Sequence, residues 1–161
     1  CGGNYASSIA AQEKAGKLGY TQVLWLDGVE RKYVEEVGTM NVMFKIDNEI
    51  YTAPIDGTVL PGVTRDSCIA LLKEWGYKVH EEHFTIDFLM EAAREGKLEE
   101  AFGTGTAAVI SPVGELNYKG EIAMINDFKT GELTQKLYDT LTDIQWGKAE
   151  DKFNWTYEVK R

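Results

Sequence analysis

Four helical patterns alternate irregularly with short runs of β-type residues, without the strict strand–helix–strand order of a parallel sheet. Residues 5–17, from Tyr5 to Lys17, are rich in alanine, glutamine and lysine, and Gly19 follows as a stop. A second helix is expected from a Thr64 cap to Trp75, with Cys68, Leu71, Leu72 and Trp75 on one face and Gly76 beyond. Thr85 caps a third, which carries Ile86, Leu89, Met90 and Ala93 on one face and stops at Gly96. The last spans about Glu132 to Trp146, with Leu133, Leu137, Leu141 and Ile144 aligned.

Strands are expected over Thr21–Leu26, Arg31–Val37, Asn41–Ile46, Ile50–Thr52, Ala107–Ile110 and Leu116–Ile125, the last folded at Lys119-Gly120. Asp47-Asn48 marks a hairpin, and Tyr77–Thr85 reads as extended. The 161 residues show no repeat, and none of the three prolines lies in a linker-like stretch, so one domain over 1–161 is expected. The fold class that follows is α+β, a mixed sheet or pseudo-barrel flanked by helices.

Charge narrows the partners. Seventeen basic against 26 acidic side chains leave a net charge of −9, which offers no basic surplus for nucleic-acid phosphates. No apolar run reaches the ~20 residues of a membrane span. No secretory leader is visible at the N-terminus. Cys1 and Cys68 form neither a CxxC pair nor a disulfide framework, so a reducing cytoplasmic setting is expected. Cys1-Gly2-Gly3-Asn4 reads as the middle of a loop, and the chain is expected to be a piece of something longer.

Several segments carry candidate chemistry. Leu60-Pro61-Gly62-Val63-Thr64-Arg65 lies where a loop enters a helix, and the first helical N–H groups there could hold a phosphate, with Gly62 allowing close approach. An ordinary helix cap explains the same residues. In Glu35-Glu36, strand alternation turns one acid inward. A buried carboxylate needs a partner, and a protonated ring nitrogen would serve; two solvated acids near a turn are the alternative. Gly103-Thr104-Gly105-Thr106-Ala107-Ala108 matches a dinucleotide fingerprint by string, but a helical stretch is read before it and a strand after it, the wrong order for that site. An anion could still rest on such a turn. His80 and His83, three apart on an extended segment, fall on opposite faces, so a metal site is not expected and both read as surface residues.

Taken together, GGNYASS (2–8), QVLWLDG (22–28), EVGTMN (36–41), DGTVLPGVTRDS (56–67), FGTGTAAVISPV (102–113) and LTDIQWG (141–147) resemble the branched-chain-amino-acid aminotransferases. These are class IV, fold type IV enzymes that use pyridoxal 5'-phosphate. The resemblance implies a role for each matching residue. Tyr5 should hydrogen-bond the cofactor's phenolic oxygen, Glu36 should keep the pyridine nitrogen protonated, and Leu60 should pack on the ring. Gly62, Val63 and Thr64 should hold the phosphate at the helix start, with Thr106 completing that cradle. The Thr106–Ala107 backbone should bind the substrate carboxylate, and Gly38 and Thr39 should line the pocket.

The resemblance makes this chain the large C-terminal domain. In this family the lysine that links to the cofactor directly precedes the residue matching Cys1. That lysine, the small N-terminal domain and a phosphate-binding arginine are expected outside this chain, which alone should not catalyse transamination. Ala108 and Ser111 stand where some members carry a CxxC redox pair. The substrates implied are leucine, isoleucine or valine with 2-oxoglutarate, and the family forms homodimers. Alternatives are a non-catalytic fragment with a weak phosphate site, or a lyase or D-amino-acid aminotransferase on the same fold.

Overall fold

A computed structural model describes residues 6–159. A short 3-10 turn over Ala6–Ser8 leads into α1 (Ile9–Lys17). Four strands follow: β1 (Leu24–Leu26), β2 (Val34–Val37), β3 (Met40–Ile46) and β4 (Glu49–Thr52). Next come α2 (Val63–Glu74), β5 (Val79–Glu81), α3 (Ile86–Arg94), β6 (Leu98–Gly105) and β7 (Val109–Pro112). A separate hairpin of β8 (Glu115–Tyr118) and β9 (Glu121–Met124) precedes α4 (Glu132–Gln145). The α+β class and the helix-flanked mixed sheet are as expected: all its pairings are antiparallel except the parallel β4–β5 pair.

The hub of the sheet is β3. One of its edges pairs with β6 along nearly its whole length. The other edge is shared: Met40 and Asn41 pair with β2, while Phe44 to Ile46 pair with β4. The sheet therefore forks at the middle of β3. The β3–β4 hairpin turns through Asp47 and Asn48 at φ 51° and 62°, the left-handed pair that a tight hairpin requires.

Cores lie on both sides of the sheet. Val42, Phe44 and Ile46 pack with α3 and the β8–β9 hairpin on one face. Met43 and Phe102, opposite each other in the ladder, pack on the other face with Cys68, Leu71 and Leu72 of α2 and Leu133, Leu137 and Leu141 of α4. Period-2 alternation along β3 produces this split.

The structure corrects several boundaries and one whole element. The helix expected from Thr64 starts at Val63 on a Gly62 N-cap, so Thr64 lies inside the first turn and is not the cap. Thr85 does cap α3, accepting from the Phe88 N–H. The strand expected over Arg31–Val37 is confined to Val34–Val37, because the Asp27 carboxylate gathers the N–H groups of Val29, Glu30, Lys32 and Tyr33 into a turn. The hydrogen bond from Tyr33 leads those that hold this acid below the usual carboxylate range. β7 begins at Val109, two residues after the expected start. β6, which the sequence does not mark as a strand and whose first half follows the helix expected to stop at Gly96, is the long strand beside β3.

Cys68 is fully buried, and burial pushes its thiol up to about 12. Maleimide labelling of the folded protein at pH 8 should leave the Cys68 peptide unmodified, and labelling should appear only with denaturant. Rapid native labelling at Cys68 would contradict this packing.

Candidate cofactor site

The sheet brings most of the sequence-selected residues to one end. β3 starts there at Met40, just after the Gly38-Thr39 turn, and antiparallel β6 finishes there at Gly105, just before Thr106 and Ala107. Gly38 has φ 57°, a conformation that side-chain-bearing residues rarely adopt, and a Cβ there would also make the Gln22 side chain shift. Trp25 donates its indole N–H to the Gly38 carbonyl at 2.8 Å, and the Gly38 N–H donates to the Val23 carbonyl at 2.8 Å. Thr39, Thr106 and Ala107 are exposed. Tyr5 lies outside the described residues.

The two acids of β2 divide as alternation requires. Glu36 is 8% exposed. Glu35 is half-buried and accepts from the Thr58 hydroxyl at 2.7 Å. The Glu36 Oε1 accepts from Asn41 Nδ2 at 3.0 Å and from the Leu60 N–H at 3.3 Å. Both of these donors are neutral, so they orient the carboxylate and neither cancels its charge. Asn41 is opposite Glu36 in the β2–β3 pair and opposite Thr104 in the β3–β6 pair, so the three share one face. The Thr104 hydroxyl is buried and has no hydrogen-bond partner among the described residues.

Above this row lies the entry to α2. The loop 53–62 leaves β4 at the fork and returns over Asn41, which donates to the Leu60 carbonyl at 2.9 Å. Leu60 and Val63 are exposed and Thr64 is half-buried. The N-cap of α2 is Gly62, which has no side chain to accept from the first helical N–H groups, and their partial positive charge faces the mouth of the site. In sequence, Gly62 reads as room for a phosphate. The structure shows another constraint: a Cβ at Gly62 would collide with the Asn41 side chain.

Arg65 braces the far side of the loop. It is 1% exposed and donates to the Ala53 carbonyl at 2.9 Å, to Glu81 at 3.2 Å and to Asp66 at 3.3 Å. Asp56 in the same loop pairs with His83 at 2.7 Å. His80, expected at the surface, is half-buried, stacked on Tyr51 and 2.6 Å from Glu49. Among the described residues no group of three His, Cys, Asp or Glu side chains could hold a metal. No described helix is long and apolar enough to cross a membrane. Both glycines of the string at 103–108 lie in β6, and a turn and β7 follow them.

Asn41, Arg65 and Thr104 had no signal of their own in the sequence. Each is a polar residue whose significance comes from partners that only the fold brings close.

This arrangement can bind an anion at the start of α2 and place a buried negative charge beside it. The model of the class IV aminotransferase family matches residues 2–116. The chain is 58% identical over 157 residues to branched-chain-amino-acid aminotransferase 2 of Bacillus subtilis (strain 168), covering 98% of this chain and 43% of that protein. It is 55% identical to branched-chain-amino-acid transaminase 1 of the same organism, covering 98% and 44%. Among solved structures, the branched-chain amino acid aminotransferase from Escherichia coli aligns with a TM-score of 0.76 at 31% identity, over 96% of this chain and 48% of that one. The chain spans less than half the length of the curated relatives it matches.

Proposed function

The chain belongs to the class IV aminotransferase family, and from that membership we propose that residues 1–161 are the C-terminal cofactor-binding domain of a branched-chain-amino-acid aminotransferase. The intact enzyme exchanges an amino group between leucine, isoleucine or valine and 2-oxoglutarate, using pyridoxal 5'-phosphate. The small N-terminal domain and the lysine that links to the cofactor belong to the remainder of the polypeptide. The isolated chain is therefore expected to turn nothing over. We place the enzyme in the cytoplasm as a homodimer.

The observation that carries this reading is Glu36, a buried carboxylate held by the Asn41 amide and the Leu60 N–H beside the loop that enters α2. Opposed to a pyridine nitrogen, this carboxylate would hold a proton on the ring. The bound cofactor then supplies the electron sink for the carbanion formed at the amino acid's α-carbon. The Val63 and Thr64 N–H groups at the start of α2 hold the phosphate, with the Thr106 hydroxyl as a second tie. Leu60 packs on the ring, and Tyr5 donates to its phenolic oxygen. The Thr106–Ala107 backbone orients the substrate carboxylate, while Gly38 and Thr39 shape the pocket beside it.

The test is amino transfer by the intact polypeptide loaded with pyridoxal phosphate, with leucine and D-alanine as rival donors to 2-oxoglutarate. Leucine should be turned over and D-alanine barely at all. Preference for D-alanine would overturn the substrate assignment, and no transfer from either would overturn the reaction.

A further inference from the structure

We propose that Asn41 is a positioning residue that aims the Glu36 carboxylate and locks it to the loop entering α2, so that the acid and the phosphate-binding turn act as one rigid unit. This rests on the cofactor site proposed above.

Asn41 is 4% exposed, and its single amide nitrogen serves two acceptors: Glu36 Oε1 at 3.0 Å and the Leu60 carbonyl at 2.9 Å. Its two hydrogens are both spent on these bonds. The Leu60 N–H donates to the same Glu36 oxygen, closing a ring of three contacts through Glu36, Asn41 and Leu60. Gly62 completes the clamp from above, because any side chain there would displace Asn41. The ladder fixes Asn41 itself, which is paired with Glu36 on one edge and Thr104 on the other. A carboxylate tied in this way cannot turn without moving Leu60, two residues from the N-cap of α2. Such bracing matters because a displacement of about 1 Å is enough to spoil a charge–ring contact.

The readout is the pH midpoint at which the visible absorption band of bound pyridoxal phosphate titrates in the intact polypeptide. If Glu36 loses its aim, the ring loses its positive charge, and the proton carried elsewhere on the conjugated cofactor is held more tightly. Glu36→Gln should raise the midpoint by about 1 pH unit or more. Asn41→Ala and Asn41→Leu should raise it in the same direction, and adding either to Glu36→Gln should raise it no further. Thermal midpoints of the cofactor-free proteins, measured alongside, report any purely structural loss.

A midpoint that does not move in the Asn41 variants overturns the proposal, even if their stability falls. An additive shift in the double variant overturns it too, since Asn41 would then act by a route other than Glu36. If neither Asn41 variant folds, Asn41 is a structural residue and the positioning role is withdrawn. Absence of any visible band in the unmodified protein would be a different failure, that of the cofactor site itself.

Discussion

Replacing Glu36 with glutamine in the intact polypeptide should lower amino transfer from leucine by about 100- to 1,000-fold while pyridoxal phosphate stays bound. The substitution keeps the size and the one acceptor that Asn41 and the Leu60 N–H use, and exchanges the other, charged oxygen for a neutral NH2 group. In the proposed site the phosphate rests on the α2 N-terminus, which the change leaves alone. The loss should therefore fall on turnover. Rate measurements at saturating leucine, with cofactor content read by absorbance, separate the two effects. Unchanged turnover would remove Glu36 from the chemistry.

The largest effect on stability is expected at Glu100. This acid is 7% exposed on β6, and its two oxygens accept from the Leu133 N–H at 3.1 Å, the Thr134 N–H at 2.8 Å and the Thr134 hydroxyl at 2.7 Å. α4 begins on Gly131, which has no side chain to cap it, so a carboxylate from the sheet does so instead. Glu100→Ala strands two helical N–H groups in a buried setting and should cost about 2–4 kcal/mol. Its neighbour Glu99 pairs with Lys45 at the more exposed rim, at 2.6 Å. Glu99→Ala should cost about 1 kcal/mol or less. Denaturant melts of the intact polypeptide would compare the two, and equal losses would contradict the capping role.

Glu100 also shows why part of the fold was illegible. The segment Leu98–Gly105 carries two adjacent acids and two glycines, which obscure alternation and look like the tail of a helix or a loop. It is nevertheless the strand that pairs with β3 on one edge and β7 on the other, so its backbone is satisfied by the ladder. Its charge is tolerated because a helix start meets it. The helices themselves were legible, since apolar spacing at Leu133, Leu137 and Leu141 needs only a 3.6-residue period and one buried face.

The candidate site divides in the same way. The opposed fates of Glu35 and Glu36 follow from a two-residue period, and the entry of a loop into a helix at 60–64 from its turn chemistry. Asn41 does not follow from either rule. It lies five residues from Glu36 and nineteen from Leu60, and only the hairpin and the returning loop bring the three together. Gly62 was legible as a point of close approach, but the group that approaches is the Asn41 side chain.

The most direct measurement is a crystal structure of the intact polypeptide with pyridoxal phosphate bound. The phosphate is expected on the Val63 and Thr64 amides at the start of α2, with the ring nitrogen within hydrogen-bond reach of Glu36. A cofactor bound elsewhere, or one whose ring nitrogen faces away from Glu36, would contradict the site described above.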